Sequence, residues 1–511
     1  MVTGPLSARL ATLCHEIVTD FGSQAGGQLR QIENRLHEPL RVAIAGRLKA
    51  GKSTLVNALI GRRVAPTAAG ECTRVVTRFR YGPADRIDVV TRDGARHSLP
   101  LDDDGMIPAR LGTPATRIAY LDVTLTDDRL RTLTVVDTPG LSSTDVASSE
   151  RAQQVVGDAP FDDRIDAGSA AEVAAAEAVI YVFTQAVRAD DLHALNAFHD
   201  ASARLAASPI NAIGVLGKID TLAGGADDPW PIAGPLAASQ AHLLRRTVGD
   251  VVPIAGLLAE TAGAGRLTDT DRDALARLAA LPGTELSLLL ISVDLFRSQP
   301  APVGAEHRER LLTRLDLYGI GFACAQLAAE PRLGTGELVR RLLAASGMPR
   351  LRHRLDQSFG WRSDAIKAGW ALTRLERIAG HTGEPQLRAR VRDGMEQVLQ
   401  DPAYHRLRLL DAAQRAATGA VRLPADRETE LVRLATSTDP RWILDLPQAA
   451  DTDLATAAIT AAGRWRAYAV DGAGPAQARL AHVAHRGFQL LAQEIRSASD
   501  QHEQGARPCA T

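Results

Sequence analysis

The spacing of hydrophobic positions changes twice along the chain and divides it into three zones. Up to residue 38, apolar residues recur at steps of three and four, which predicts an amphipathic helix, and Pro39 ends the run. From residue 40 to 300, short β-like runs alternate with helical segments, a pattern typical of an α/β domain with a largely parallel sheet. Beyond that point the helical spacing returns and continues to about residue 500.

The zones predict an α/β domain joined to a helical bundle. We expect the α/β domain to occupy residues 40–300 and a helical neck and stalk to occupy residues 301–500, with the segment SQPAPVG near residue 300 as the linker. The amphipathic N-terminal helix, within residues 1–39, should pack on the bundle. A polar, disordered tail is expected over residues 501–511.

The composition narrows the functional classes. Hydrophobic residues make up 45% of the 511 and charged residues 23%, as in soluble globular proteins, and the formal net charge of −1 argues against general nucleic-acid binding. The four cysteines are far apart and lack metal-ligand spacing, which favours a reducing, cytoplasmic compartment. The longest apolar stretch, LSLLLISVDLF, is too short to cross a bilayer, so any membrane contact should be peripheral.

One short loop holds two of the chain's four lysines. The segment GRLKAGKS, residues 46–53, follows a predicted strand, precedes a predicted helix and matches the phosphate-binding pattern GxxxxGK(S/T). In such a P-loop, backbone N–H groups and the positive end of the helix surround phosphate oxygens. Lys52 would reach the β- and γ-phosphates, where the bulkier fork of Arg does not fit, and Ser53 would offer its hydroxyl to Mg²⁺.

Two further segments fit the same site. In VVDTPG, residues 135–140, a predicted strand ends at Asp137, which is placed to hold a Mg²⁺-bound water, and the Gly140 N–H is placed to meet the γ-phosphate. In AGECTRVVT, residues 69–77, the hydroxyl of Thr73 would complete the Mg²⁺ shell when a γ-phosphate is present. These residues predict a site for a Mg²⁺–nucleoside triphosphate.

A third segment specifies the base. In VLGKID, residues 215–220, the Asp220 carboxylate can accept from the N1–H and the 2-amino group of guanine together, a pair of donors that adenine lacks. Lys218 can lay its aliphatic stem along the plane of the base. The sequence therefore predicts a P-loop GTPase domain that binds GTP and GDP with Mg²⁺, in preference to ATP.

A GTPase domain preceded by a helix and followed by a long helical region resembles the dynamin-like GTPases. The segments GRLKAGKSTLVNAL, ECTRVVTRFRYG, VVDTPGL and LYGIGFACAQLA are similar to the bacterial branch, especially the isoniazid-inducible IniA/IniC type. The resemblance implies GTP hydrolysis, an elongated helical neck and stalk, and self-association through the GTPase domains or pairing with a related dynamin-like chain. It also implies peripheral work on membrane lipids (remodelling, fusion or repair), which we expect at the inner face of the plasma membrane.

The resemblance also assigns site residues. We expect Lys49, Lys52 and Thr73 to take part in catalysis, and Ser53, Thr73 and Asp137 (through water) to hold Mg²⁺. The segment VVPIAGLL is similar to the loop that closes over the base and contains Ala255. The expected nucleotide-binding residues are Gly46, Ala50, Gly51, Lys52, Ser53, Thr54, Thr73, Asp137, Gly140, Lys218, Asp220 and Ala255.

Several positions depart from the family pattern. Position 217 is Gly where Asn or Thr is usual, so a side chain that ties the base loop to the P-loop is missing and weaker nucleotide affinity is expected. Leu141 follows DTPG where Ras-like enzymes place a water-orienting Gln, and Leu cannot orient water. Dynamins compensate with Gln and Ser in the P-loop, but these positions are Leu48 and Lys49 here.

Lys49 is the residue that these departures single out. In guanylate-binding proteins, which also hydrolyse GTP as dimers, an Arg at this loop position acts as an internal finger. We hypothesise that Lys49 neutralises charge on the transferring phosphate, or takes the place of a monovalent cation, once two GTPase domains face each other. The alternative is a solvated lysine beside the polyphosphate.

Membrane contact needs an apolar tip on the helical region. The best candidate is DPRWILDLP, residues 439–447, a Trp/Ile/Leu run bracketed by two prolines. A corner of the bundle that packs inward is the alternative interpretation of the same residues. The segment RWRAY, residues 464–468, is a weaker rival for the tip.

Two other functions remain open. A catalytically weak GTP-binding scaffold or hetero-partner is favoured by Leu48, Leu141 and Gly217, each of which removes something that a fast GTPase normally has. A ribosome-associated GTPase is disfavoured by the near-neutral charge and by the lack of a recognisable RNA-binding module. Turnover of GTP by the purified protein discriminates a scaffold from an active enzyme.

Overall fold

The structure, a computed structural model, describes residues 4–21, 23–47, 49–66, 75–138, 176–184, 211–360 and 362–505. Its strands are β1 (Leu40–Gly46), β2 (Thr77–Tyr81), β3 (Arg86–Thr91), β4 (Arg96–Leu99), β5 (Ile118–Leu125), β6 (Leu133–Asp137), β7 (Ala178–Thr184), β8 (Ala212–Gly217) and β9 (Val251–Ile254). They form one sheet in the order β4-β3-β5-β2-β6-β1-β7-β8-β9.

The helices fall before, between and after the strands. In chain order they are α1 (Pro5–Phe21), α2 (Ser23–His37), α3 (Lys52–Ile60), α4 (Trp230–Leu243), α5 (Gly256–Gly263), α6 (Asp269–Ala279), α7 (Gly283–Leu289), α8 (Val293–Ser298), α9 (Ala305–Ala329), α10 (Thr335–Ala345), α11 (Met348–Leu355), α12 (Ser363–His381), α13 (Pro385–Leu399), α14 (Pro402–Ala417), α15 (Ala425–Thr436), α16 (Pro440–Leu444), α17 (Asp451–Asp471) and α18 (Pro475–Gly505).

The centre of the sheet is parallel. β1 pairs in parallel with β6 and β7, and β8 and β9 continue the parallel order beyond β7. β2 is parallel to β5 but antiparallel to β6, and β3 and β4 form an antiparallel edge. The predicted α/β domain with a largely parallel sheet is confirmed. The edge strand β4 was not predicted, because its sequence RHSL lacks apolar alternation.

Helices cover both faces of the central strands. β1 is buried at nearly every position, as expected for a parallel strand covered on both sides. Val42 and Ile44 join the core that contains α3, whereas Ala43 and Ala45 join the core that contains α4, α6 and α9. Because β1, β6 and β8 run in the same direction, the loops that follow them lie at one edge of the sheet.

Helices α9, α10 and α11 belong to the core of the sheet. Leu315 of α9 and Leu338 of α10 lie in the cluster that contains Ala43, and Leu351 of α11 lies in the cluster on the opposite face. A π-helical segment, Asp356–Gly360, follows α11. We therefore propose that the sheet-bearing unit ends near residue 360 instead of the predicted 300, because helical spacing alone does not show which core a helix joins.

The helices before β1 and those after residue 360 form two further cores. The N-terminal segment folds as two helices, α1 and α2, which pack on α12 and α13 and bury Leu10 and Leu29 against Trp370 and Val391. The second core, built by α14, α15, α17 and α18, surrounds Trp465.

Two predictions in this region need correction. Trp465 of α17 is 0% exposed and packs in the second core, so the tryptophan of RWRAY does not face a membrane and this weaker rival for the tip is wrong. Trp465 occupies one of the regularly spaced apolar positions of the helix, which indicates a core residue, and the sequence analysis did not consider this possibility. The predicted disordered tail also begins too early, because α18 continues to Gly505; residues 506–511 lie outside the described part of the chain.

Buried charges join the sheet to the helices around α1 and α12. The Arg35 guanidinium of α2 donates to Glu177, which precedes β7, and both side chains are buried. Lys367 of α12 is 1% exposed, and its ammonium donates to the Leu36 carbonyl at 2.8 Å and the Glu38 carbonyl at 3.0 Å. Burial lowers the pKa of Lys367 to about 8. The fourth lysine of the chain therefore binds backbone carbonyls at the C-terminal end of α2 and is not part of the P-loop.

Candidate functional site

The P-loop lies between β1 and α3, as predicted. β1 ends at Gly46, where φ is +146° and a Cβ atom would lie 2.2 Å from the Val182 carbonyl oxygen of β7. Only glycine allows the two strands to approach at this point. The helix that follows begins at Lys52, directly after the loop. Its first backbone N–H groups lack partners within the helix and face the loop, which suits an anion.

Lys52 lies inside the loop. It is 8% exposed, and its ammonium donates to the Gly46 carbonyl at 3.0 Å and the Arg47 carbonyl at 2.9 Å. Burial lowers the pKa of Lys52, and the nearby Asp137 carboxylate opposes that shift. Among the described residues, the hydrogen-bond partners of the ammonium are thus backbone carbonyls of the loop itself.

Ser53 and Asp137 form the second part of the site. The Ser53 hydroxyl donates to Asp137 Oδ2 at 2.9 Å, and Asp137 Oδ1 is buried without a hydrogen-bond partner among the described residues. Burial raises the pKa of Asp137 to about 6, against the opposing effects of Lys52 and Ser53. A hydroxyl, a carboxylate with a free oxygen and space for phosphate match the way Mg²⁺ is held beside nucleotides, so these residues fit the ion.

A cavity of about 260 Å³ extends from the P-loop to the loops after β8 and β9. Ala50, Gly51 and Thr54 line it on the P-loop side. Lys218 and Asp220 line it on the β8 side. The P-loop and the segment VLGKID, which are far apart along the chain, thus meet around one space.

Asp220 presents an unused acceptor to this cavity. Its Oδ1 is buried and has no hydrogen-bond partner among the described residues. Burial raises the pKa of Asp220 to about 6, the Asp316 carboxylate raises it further, and Lys218 opposes the shift. Lys218 itself is exposed and adopts a left-handed backbone conformation (φ 55°) immediately after β8. A carboxylate with a free oxygen beside an exposed lysine stem matches the two roles predicted for guanine binding.

The backbone of Gly217 lies directly against the P-loop. A Cβ atom at this position would lie 3.2 Å from the Ala50 carbonyl oxygen and 3.5 Å from Val182 Cγ1. The β8 loop therefore contacts the P-loop through its main chain, without the side chain that is usual in the family. A larger residue here would require the P-loop to shift by a few tenths of an ångström.

Ala255 lies beside the cavity but does not line it. Its side chain is buried in the core, and its N–H donates to the Ser346 carbonyl at 3.0 Å. The neighbouring Gly256 and Leu257 line the cavity instead. Within the segment VVPIAGLL, the residues beside the cavity are thus the neighbours of Ala255, and closure of this loop over a base stays a prediction.

Lys49 is exposed and has a left-handed backbone (φ 63°). Within the described part of the chain, its ammonium has no hydrogen-bond or ion-pair partner. The remaining predicted residues, Thr73 and Gly140, lie outside the described residues, as do Leu48 and Leu141.

The sequence analysis missed one charged residue of the cavity, Asp316. It lies within α9, about 100 residues after the Asp220 motif, and belongs to no nucleotide-binding pattern. The only local signal is a carboxylate between two buried leucines, Leu315 and Leu317. Such a residue is more often a solvated position on a helix, so the fold was needed to find it.

Comparisons with known proteins agree with this site. The model of the Dynamin family matches residues 42–183. The isoniazid-induced protein IniC of Mycobacterium tuberculosis (strains CDC 1551 / Oshkosh and ATCC 25618 / H37Rv) is 35% identical over 481 residues, which cover 92% of this chain and 93% of IniC. A bacterial dynamin-like protein of Nostoc punctiforme (strain ATCC 29133 / PCC 73102) is 43% identical over 54 residues, 11% of this chain and 8% of that protein.

Among solved structures, a chain of an oligomerised bacterial dynamin pair aligns with 98% of this chain at a TM-score of 0.31 and 13% identity. These values are too low to transfer its assembly to this protein. The IniC match, by contrast, spans nearly the whole length of both chains. The resemblance inferred from the motifs is confirmed: this chain belongs to the dynamin family, as an IniC-like, dynamin-like GTP-binding protein.

Proposed function

We propose that this chain hydrolyses GTP to GDP and phosphate with Mg²⁺, self-associates or pairs with a related dynamin-like chain, and acts peripherally on membranes. The observation that carries the proposal is the unpaired, buried Oδ1 of Asp220 in a cavity that is shared with the P-loop. A ligand with hydrogen-bond donors on its edge would satisfy that oxygen, and guanine offers two adjacent donors to one carboxylate.

Each residue around the phosphates has a distinct role in this proposal. Lys52 leaves the two carbonyls that it now contacts and donates to the β- and γ-phosphate oxygens. Ser53 would hold Mg²⁺ through its hydroxyl oxygen, and Asp137 would hold it by way of a water through its free oxygen. When bound, Mg²⁺ neutralises charge on the β- and γ-phosphates. Thr73 and Gly140, outside the described residues, are proposed to contact the ion and the γ-phosphate.

A membrane-facing tip is proposed at α16. Trp442 is 50% exposed and Leu446 is partly exposed, whereas Ile443 between them packs into the core of α14, α15, α17 and α18. Arg433 lies over the Trp442 ring at 5.7 Å. An exposed Trp beside Arg suits the interface of an anionic bilayer. Within the part of the chain that the structure describes, every helix is too short or too polar to span a bilayer. We propose a peripheral contact at the inner face of the plasma membrane.

The experiment is GTP turnover per chain against protein concentration, with Mg²⁺, in the presence and absence of anionic liposomes. We expect turnover that rises with concentration and rises further with liposomes. Trp442→Ser should remove the liposome effect and leave the concentration effect, because Trp442 is remote in sequence from the nucleotide site and its ring is half in solvent. Exposed Leu243→Ser on α4 is the matched control and should change neither.

Each arm of this experiment has an outcome that counts against the proposal. Flat turnover in spite of GTP binding would favour the scaffold or hetero-partner function over an assembling enzyme. Stimulation by liposomes that survives Trp442→Ser would exclude α16 as the tip. Absence of both GTP binding and turnover would exclude the proposal as a whole.

A further inference from the structure

A strained break in α9 faces the nucleotide cavity. Asp316 has φ 56° and ψ −178° within a helix that runs from Ala305 to Ala329. A residue with a Cβ atom avoids positive φ, and such conformations persist only where the surrounding structure fixes them; they occur preferentially at ligand-binding sites. The break is therefore a reason to ask what Asp316 contacts.

The helix is anchored firmly before the break. Arg310 Nε donates to Asp271 Oδ1 at 2.9 Å, and the Arg314 guanidinium donates to the other oxygen of the same carboxylate. Asp271, in α6, is fully buried and also accepts from the Thr268 backbone N–H at 2.9 Å. This half of α9 is consequently tied to α6 by a pair of charge-assisted hydrogen bonds.

The helix is anchored equally after the break. Leu317, Tyr318 and Ile320 are buried in the core that contains α4 and α6. Neither half of α9 is thus free to rotate and restore a continuous helix at Asp316. The strain is held by packing on both sides, so the position of the Asp316 carboxylate is fixed before any ligand arrives.

The Asp316 side chain lines the same cavity as Lys218 and Asp220. One of its oxygens accepts from the Leu317 N–H at 2.7 Å. The other has no hydrogen-bond or ion-pair partner among the described residues. Asp316 and Asp220 both line this cavity, and the Asp316 carboxylate raises the pKa of Asp220. Two neighbouring carboxylates repel each other unless a donor-rich group lies between them.

Guanine carries a suitable set of donors. Its N1–H and its 2-amino group place three hydrogens along one edge of the base. A single carboxylate accepts from N1–H and from one amino hydrogen, which leaves the second amino hydrogen unpaired in a buried site. A second carboxylate beside the first would accept from that hydrogen.

We propose that Asp316 is a further guanine-recognition residue, which accepts a hydrogen bond from the second hydrogen of the 2-amino group while Asp220 binds N1–H and the first. The inference rests on the proposed GTP site and deepens it. Base binding would then join the β8 loop to the break in α9, because Asp220 and Asp316 contact the same amino group. The chain would recognise the 2-amino group from two sides.

The test compares GDP with IDP, which lacks the 2-amino group, by calorimetry on the full chain with Mg²⁺. Asp316→Asn keeps the shape of the side chain and can retain the Leu317 contact, but presents an amide donor to the base. We expect this variant to bind GDP at least about 10-fold more weakly and to bind IDP within about 2-fold of the wild type. Asp316→Gly, which suits φ 56° and removes the carboxylate, should lose GDP affinity in the same selective way.

The possible results separate this inference from the proposed function. Unchanged GDP affinity in both variants would overturn the role of Asp316 while leaving the GTP site intact. An equal loss of GDP and IDP affinity would place the contact on the ribose or in the packing of α9, and would also overturn it. Wild-type protein that binds neither nucleotide would overturn the GTP site itself, and the inference with it.

Discussion

Replacing Lys52 by methionine is expected to lower the affinity for Mg²⁺–GTP and Mg²⁺–GDP by at least about 100-fold, because two charge-assisted hydrogen bonds to phosphate are lost. The fold should survive. Lys52 donates to the Gly46 and Arg47 carbonyls, so methionine leaves these two acceptors without that donor, at an expected cost of about 1–3 kcal/mol in unfolding free energy. Calorimetric titration with GDP measures the first effect, and thermal unfolding without nucleotide measures the second.

Lys367→Met provides the matched control, since it removes the other strongly buried lysine. Here the Leu36 and Glu38 carbonyls lose their donor inside the protein, at a cost of about 1–3 kcal/mol in unfolding free energy. Its GDP affinity should equal that of the wild type. The two variants should thus lose similar amounts of stability, whereas Lys52→Met alone should bind GDP weakly. Wild-type GDP affinity in Lys52→Met would contradict the placement of the phosphates in this loop.

Replacing Lys49 by glycine should reduce GTP turnover at high protein concentration by at least about 100-fold and leave GTP affinity within about 3-fold of the wild type. The exposed ammonium has no partner among the described residues, so it is available to a phosphate that is shared between two facing domains. Glycine accepts the left-handed backbone of this position (φ 63°), so the loop keeps its shape. Turnover and nucleotide affinity are measured on the same preparation.

Lys49→Arg tests the charge separately from the shape of the side chain. A finger that acts by neutralising phosphate charge should retain most of its effect with Arg, whereas a site for a compact cation should not. Full turnover of Lys49→Gly at high concentration would exclude Lys49 from catalysis. A loss of turnover that is matched by an equal loss of GTP affinity would also count against the finger, because a transition-state contact acts on turnover more than on binding.

The residues that sequence reasoning located are those whose chemistry is tied to short spacing. Lys52 and Ser53 follow from one pattern at the end of a strand, and Asp137 and Asp220 follow from patterns at the ends of two other strands. Parallel strands bring their carboxyl ends to one edge, so these residues lie along the same edge of the sheet without any further information. The α/β class was predictable for the same reason, since strands and helices alternate from residue 40 onward.

Other features depend on packing that spacing does not reveal. α9 and α10 carry an ordinary helical pattern, yet their apolar faces complete the core of the sheet, and the domain boundary moves with them. Tryptophan is a residue type that is common at membrane interfaces, but Trp465 lies in the centre of a helical core. Asp316 reaches the cavity only because α9 is broken at that residue, and the break is imposed by contacts on either side. No local pattern encodes these three outcomes.

Equilibrium binding of GDP, ADP and XDP to the wild type and to Asp220→Asn tests the guanine site most directly. The wild type should bind GDP at least about 100-fold more tightly than ADP, because the buried Asp220 oxygen is left unpaired by adenine. Asp220→Asn should bind GDP more weakly and XDP more tightly than the wild type does. XDP has a carbonyl in place of the amino group, and this carbonyl accepts from the Asn amide. Equal affinity of the wild type for GDP and ADP, or GDP binding that is unaffected by Asp220→Asn, would contradict a guanine nucleotide in this cavity.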